Sequence, residues 1–115
     1  MPRKIIVSST LDEQREERIR PSAILGYDRD KLGLYALQKE MFEVAESQFE
    51  RAAYLNPYQP RFLQHLAWSL YKQEKYAKAR ERIMEALAKN PDDKDSVYIL
   101  SRIEEELPRG PQGGI

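Results

Sequence analysis

The sequence predicts an all-α fold made of antiparallel helix hairpins, and three observations carry that prediction. Apolar residues recur at i, i+3, i+4 and i+7 through most of the chain. Prolines and glycines mark off the stretches that carry this pattern. The chain also repeats itself: Pro57 and Pro91 lie 34 residues apart, each preceded by an asparagine, Asn56 and Asn90. Laying 26–59 over 60–93 pairs Leu32 with Leu66, Glu40 with Glu74, Ala45 with Ala79, Ala52 with Ala86, Asn56 with Asn90 and Pro57 with Pro91. Phe42 and Tyr76 keep an aromatic in register, and Phe49 and Ile83 keep a large apolar side chain. Matches that fall at helical spacing, small on small and large on large, are the mark of an internal repeat.

The elements follow in chain order. Residues 1–21 form an arm, in which Ile5-Ile6-Val7 has β character and Thr10-x-x-Glu13 reads as a capping box. That box would open a short charged helix over 11–19, broken at Arg20-Pro21. A single domain, 22–107, holds repeat one (26–59), repeat two (60–93) and a closing helix (94–107). In repeat two, Leu63, Leu66, Ala67 and Leu70 make one apolar stripe, and Ala79, Ile83, Ala86 and Leu87 make a second. Gln73-Glu74-Lys75 between them is short enough to force an antiparallel hairpin. Small residues share a slot at Gly33 and Ala67, and Ala45, Ala52, Ala79 and Ala86 let helix axes approach closely. Asn-Pro ends each second helix, because the residue before proline is driven out of the α region. Asp92-Asp93-Lys94-Asp95 offers capping carboxylates to the closing helix. Its stripe reads Val97, Leu100, Ile103, Glu104 and Leu107, with Glu104, Glu105 and Glu106 turned to water. Residues 108–115, rich in proline and glycine, read as a mobile tail. Two repeats fall short of the usual three, so the arm or a second copy of the chain is expected to cover the N-terminal end.

Composition excludes most chemistry. With 19 basic and 19 acidic residues and a pI near 6.6, the chain lacks the electrostatic footprint of a nucleic-acid binder. No cysteine means no disulfide, thiolate zinc site or cysteine nucleophile, and the single histidine, His65, rules out a multi-histidine metal centre. No cofactor and no metal are expected. Gly26 and Gly33 sit within a helical pattern rather than in a phosphate loop. The Asp92–Asp95 cluster lacks the glycine and distal glutamate of a calcium loop. His65 has no serine or cysteine partner at a recognisable motif. Lys72, Lys75, Lys78, Arg80 and Arg82 are interleaved with Glu74, Glu81 and Glu85, which suggests i,i+4 pairing on a solvated face. The chain reads as no enzyme. Ile5-Ile6-Val7 is far shorter than the ~7–15 apolar residues of a secretory signal, and no stretch approaches the ~18 of a membrane span. A cytoplasmic protein with no membrane partner is expected.

The 34-residue pattern resembles the tetratricopeptide repeat family. Repeat one supplies Leu32, Gly33, Ala36, Ala45, Phe49, Ala52 and Pro57 to that motif; repeat two supplies Leu63, Leu66, Ala67, Leu70, Ala79, Ile83, Ala86 and Pro91. Arg29 and Leu63 stand where tryptophan is usual, Ala36 and Leu70 where tyrosine is usual, and Ile83 where an aromatic is usual. The resemblance implies a right-handed α-α superhelix, with the first helices lining a concave face that binds peptides.

Those first helices carry a second apolar stripe, away from the repeat core: Leu34 and Leu37, then Trp68 and Tyr71 with His65, then Tyr98 and Ile99 with Arg102 on the closing helix. By the resemblance, the groove would be lined by Tyr27, Lys31, Leu34, Leu37, Gln38, Gln64, His65, Trp68, Tyr71, Lys72, Asp95, Tyr98, Ile99 and Arg102. The family's cationic clamp for a chaperone's terminal carboxylate is not matched, since its positions hold Asp30, Leu34, His65, Asp95 and Ile99. The expected partner is an apolar peptide or helix of another protein, with the chain acting as an adaptor or assembly subunit. Other readings of the stripe are a homodimer seam, the chain's own arm folded back, or a small chaperone shielding an apolar client segment.

Overall fold

The computed structural model describes residues 25–107, which form five helices joined by short turns. They are α1 (Tyr27–Gln38), α2 (Phe42–Leu55), α3 (Pro60–Lys72), α4 (Tyr76–Lys89) and α5 (Lys94–Glu106). The expectations for the arm, its helix over 11–19 and the tail fall outside the described residues.

Local chemistry sets each boundary. Both intra-hairpin turns close in the same way. Glu40 and Glu74 adopt left-handed φ values of 61° and 67°. The amides of Glu40 and Met41 donate back to the carbonyls of Leu37 and Ala36, and those of Glu74 and Lys75 to Tyr71 and Leu70. This is the 5→2, 6→1 pattern that satisfies a helix's last carbonyls and usually has glycine at the left-handed position. The pairing of Glu40 with Glu74 in the repeat is thus a turn feature. Asn56 and Asn90 leave the helical region at the C-termini of α2 and α4, as the following prolines require. Pro60 opens α3 in its first turn, where its missing N–H costs nothing, and the Gln59 side chain accepts from Arg61 N. Asp93 caps α5 by accepting from Ser96 N at 2.9 Å. Gly26 does not lie inside a helix. It precedes α1 at φ 93°, and a Cβ there would come within 2.9 Å of the Ala52 carbonyl oxygen.

The helices pack consecutively, and contacts between α1 and α3 and between α3 and α5 bring the first helices together as one inner layer. The core between layers holds Ala36, Ala45, Phe49, Leu63, Leu66, Ala67, Leu70, Ala79, Ile83, Ala86 and Ile103, all buried. Gly33 sits directly on Phe49: a Cβ there would lie 2.3 Å from its ring. In repeat two the position of Gly33 holds Ala67 and that of Phe49 the smaller Ile83, both buried.

Three sequence expectations are corrected here. Leu32 is exposed although its counterpart Leu66 is buried, because α2 covers α3 whereas no described helix precedes α1. Val97 is exposed as well; the buried side of α5 runs through Ser96, Ile99, Leu100, Ile103 and Leu107. Ser96 takes the buried place because its hydroxyl closes a polar cluster, donating to Asp93 Oδ2 at 2.8 Å. The basic stretch of α4 pairs mainly between helices rather than at i,i+4. Lys75 meets Glu46 at 3.3 Å, Arg82 meets Glu50 at 3.7 Å, and Arg80 meets a half-buried Glu104 at 3.2 Å. Only Arg82 with Glu85 pairs within the helix, at i,i+3.

Candidate interaction groove

The inner layer is held by polar ties that repeat along the stack. Tyr27 Oη accepts from Gln59 Nε2 at 2.7 Å. Asp30 on α1 meets His65 Nδ1 on α3 at 2.7 Å. One repeat on, Gln64, the counterpart of Asp30, donates from α3 to Asp93 and, at 2.8 Å, to Ser96 Oγ on α5. Polar groups withdrawn from water persist only when bonded, and the Asp30–His65 and Gln64–Ser96 bonds each join two successive first helices. The His65 ring rests on Phe49 with centroids 5.2 Å apart, so Gly33, Phe49, His65 and Asp30 form one support.

Aromatic side chains follow along α3 and α5. Trp68 stacks on Tyr71 at 4.9 Å and 26°, and Tyr71 leans on Tyr76 at 5.7 Å. The Arg102 guanidinium donates to Tyr98 Oη at 3.0 Å and Tyr71 Oη at 3.3 Å, lying about as close to both rings as a cation–π contact requires. These bonds, that to Tyr98 first, raise the Arg102 pKa above its ordinary value and keep it charged. Lys72 Nζ sits 5.7 Å from the centre of the Trp68 ring. Desolvation, then the carboxylates of Glu106 and Glu74, push the Tyr76 phenol upward.

The structure places the candidate residues as follows. Leu34, Gln38, Lys72 and Tyr98 are exposed. His65, Trp68 and Arg102 are half-buried, and Leu37, Tyr71 and Ile99 are half-buried while packing against the core. Contacts join Trp68, Tyr71, Lys72, Tyr98 and Arg102 into one cluster. Leu34, Leu37 and Gln38 lie apart from it on α1, with Lys31 and Tyr35, around a shallow cavity of about 630 Å³. Sequence reasoning did not find Asp30 as the partner of His65, nor Tyr76 beside Tyr71. The available signal was positional: Asp30 and Gln64 are polar at the same repeat position, next to core residues. Among the described residues, no three His, Asp or Glu side chains gather to hold a metal ion, and no helix is long and apolar enough to cross a membrane.

A family model described as tetratricopeptide repeat matches residues 36–103. No curated protein matches the chain.

Proposed function

The chain belongs to the tetratricopeptide repeat family, and from that premise we propose that it is a non-catalytic adaptor or assembly subunit whose inner hollow takes an apolar peptide or helix of another protein. Repeats of this family are protein–protein interaction modules, typically without catalytic activity. The observation that carries the finer reading is the cluster of Trp68, Tyr71, Tyr98 and Arg102, which offers broad apolar faces with bonded polar tips. Tryptophan, tyrosine and arginine are the side chains that dominate binding energy at interfaces. Leu34 and the cavity beside it extend the apolar surface onto α1.

Trp68 is the only tryptophan of the chain, so its emission reports directly on occupation of this surface. Trp68→Ala should weaken partner binding or dimerisation more than it lowers stability. Phe49→Ala should instead cost about 3–5 kcal/mol as a core cavity. Equal destabilisation by both changes with binding intact would remove the assignment. Light scattering on the full chain and on residues 22–115 separates the other occupants. A dimer abolished by Trp68→Ala points to a second copy, and a Trp68 emission shift on deleting the arm points to the arm.

A further inference from the structure

The Asp30–His65 pair does more than the packing asks of it. Asp30 is buried, with 4% of its side chain exposed, whereas His65 keeps 25%. As a carboxylate Asp30 can only accept, so the 2.7 Å contact makes His65 Nδ1 the donor. In the neutral ring the second nitrogen, Nε2, is then an acceptor with a free lone pair. Among the described residues Nε2 meets no hydrogen-bond partner, and the side chain as a whole is partly exposed. Phe49 lies against the ring and Asp30 closes its Nδ1 edge, which leaves the Nε2 edge as the one available to a ligand. Of the groove side chains, Leu34 is apolar and Trp68 aromatic, Tyr71 and Tyr98 have their polar tips engaged by Arg102, and Gln38 and Lys72 are exposed.

Resting on the groove reading above, we propose that His65 Nε2 is the hollow's polar recognition point, held as a hydrogen-bond acceptor by Asp30. The bound segment must therefore set one N–H or O–H donor side chain, such as that of serine, threonine, asparagine, glutamine or tryptophan, among its apolar contacts. A purely aliphatic segment would strip water from Nε2 and return nothing, and that difference is the source of selectivity. Asp30 acts as a positioning residue, because it fixes which nitrogen carries the proton.

His65 is the sole histidine, so an imidazole ¹H–¹⁵N correlation spectrum of the full chain needs no assignment. The expected result for the neutral ring is an Nδ1–H tautomer in the wild type and a mixed population in Asp30→Asn. A wild-type ring protonated at Nε2 overturns the proposal. The second arm pans a random peptide library displayed on phage against the full chain. Selected peptides should share one donor-bearing residue flanked by apolar ones. They should bind about fivefold to tenfold more weakly to the double variant Asp30→Ala/His65→Phe, which removes the acceptor without stranding a buried carboxylate. His65→Gln, whose amide can both donate to Asp30 and present an oxygen, should restore most of that binding. Peptides that lack a donor and ignore the double variant overturn the role of His65 while leaving the groove intact. Peptides that bind Trp68→Ala as tightly as wild type, or a selection that yields none, overturn the groove and this proposal together.

Discussion

On α3 the stripe Phe62, Leu66 and Ser69 is essentially inaccessible, at 0%, 1% and 0%; on α1 the equivalent Asp28, Leu32 and Tyr35 are exposed, Leu32 by 49% and Tyr35 by 60%. The two stripes share a helical phase and one identical leucine. What separates them is a neighbour. α2 lies against the α3 stripe, and Gln73, the next residue on it, donates to Glu46 at 2.9 Å. No described helix plays that part for α1. Burial in this stack is therefore set by position along the array, since each hairpin interacts only with the next. The sequence had adapted to this already: Asp28 stands where repeat two has Phe62.

The same comparison ranks the outcomes of mutation. The largest contrast should be Leu66→Ala, at about 2–5 kcal/mol, against Leu32→Ala, at about 0.5 kcal/mol or less, read from urea midpoints. A cost at Leu32 matching that at Leu66 would show that another surface covers α1. Next comes the slot shared by Gly33 and Ala67. Gly33→Ala should cost about 1–3 kcal/mol, because its methyl group meets the Phe49 ring. Adding Phe49→Ile reproduces the Ala67 and Ile83 pair of repeat two and should recover much of the loss, with a coupling of about 1 kcal/mol or more. Simple additivity would deny that the two hairpins solve the same packing problem. Smaller and opposite in sign, Glu40→Gly and Glu74→Gly should each stabilise by about 0.5–1 kcal/mol, the relief of a left-handed backbone less the added entropy of the unfolded chain. Equal gains at both sites would show that the turns, unlike the stripes, do not sense their place in the array.

The smallest effect concerns Tyr76. Its phenol is pushed above its ordinary value of 10.0, so the folded state holds that proton more tightly than the unfolded one. Stability from this group is complete below pH 10.0 and lost as pH rises through the folded value. Alkaline titration of unfolding should show this loss in the wild type and not in Tyr76→Phe.

The intra-hairpin architecture was legible because its determinants are local. Asn-Pro endings, three-residue turns, and small residues facing Phe49 and Ile83 all leave marks within one 34-residue unit. Contacts between units leave fewer. Phe62, Leu55 and Ser69 are buried by neighbouring elements, and a stripe alone does not say which element lies across it. Val97 and Ser96 show the same limit in a short helix. Hydropathy favoured the valine, but the serine's bonds with Asp93 and Gln64 decided the phase. Within the candidate site, the aromatic cluster was visible as types and spacing. Its geometry depends on Arg102 reaching across from α5 to Tyr71, a separation of 31 residues that no periodicity encodes.

The first and second helices of the stack are fastened by different means. Near the N-terminal halves of the first helices, the fasteners are short-range hydrogen bonds with at least one buried or half-buried partner: Tyr27 with Gln59, Asp30 with His65, and Gln64 with Ser96. Where the second helices α2 and α4 meet their neighbours, partly exposed ion pairs such as Lys75 with Glu46 and Arg80 with Glu104 contribute, and dissolved electrolyte weakens pairs of that kind. Ionic strength should thus loosen the contacts of the second helices and spare the ties between the first ones, so that the stack yields from its outer side.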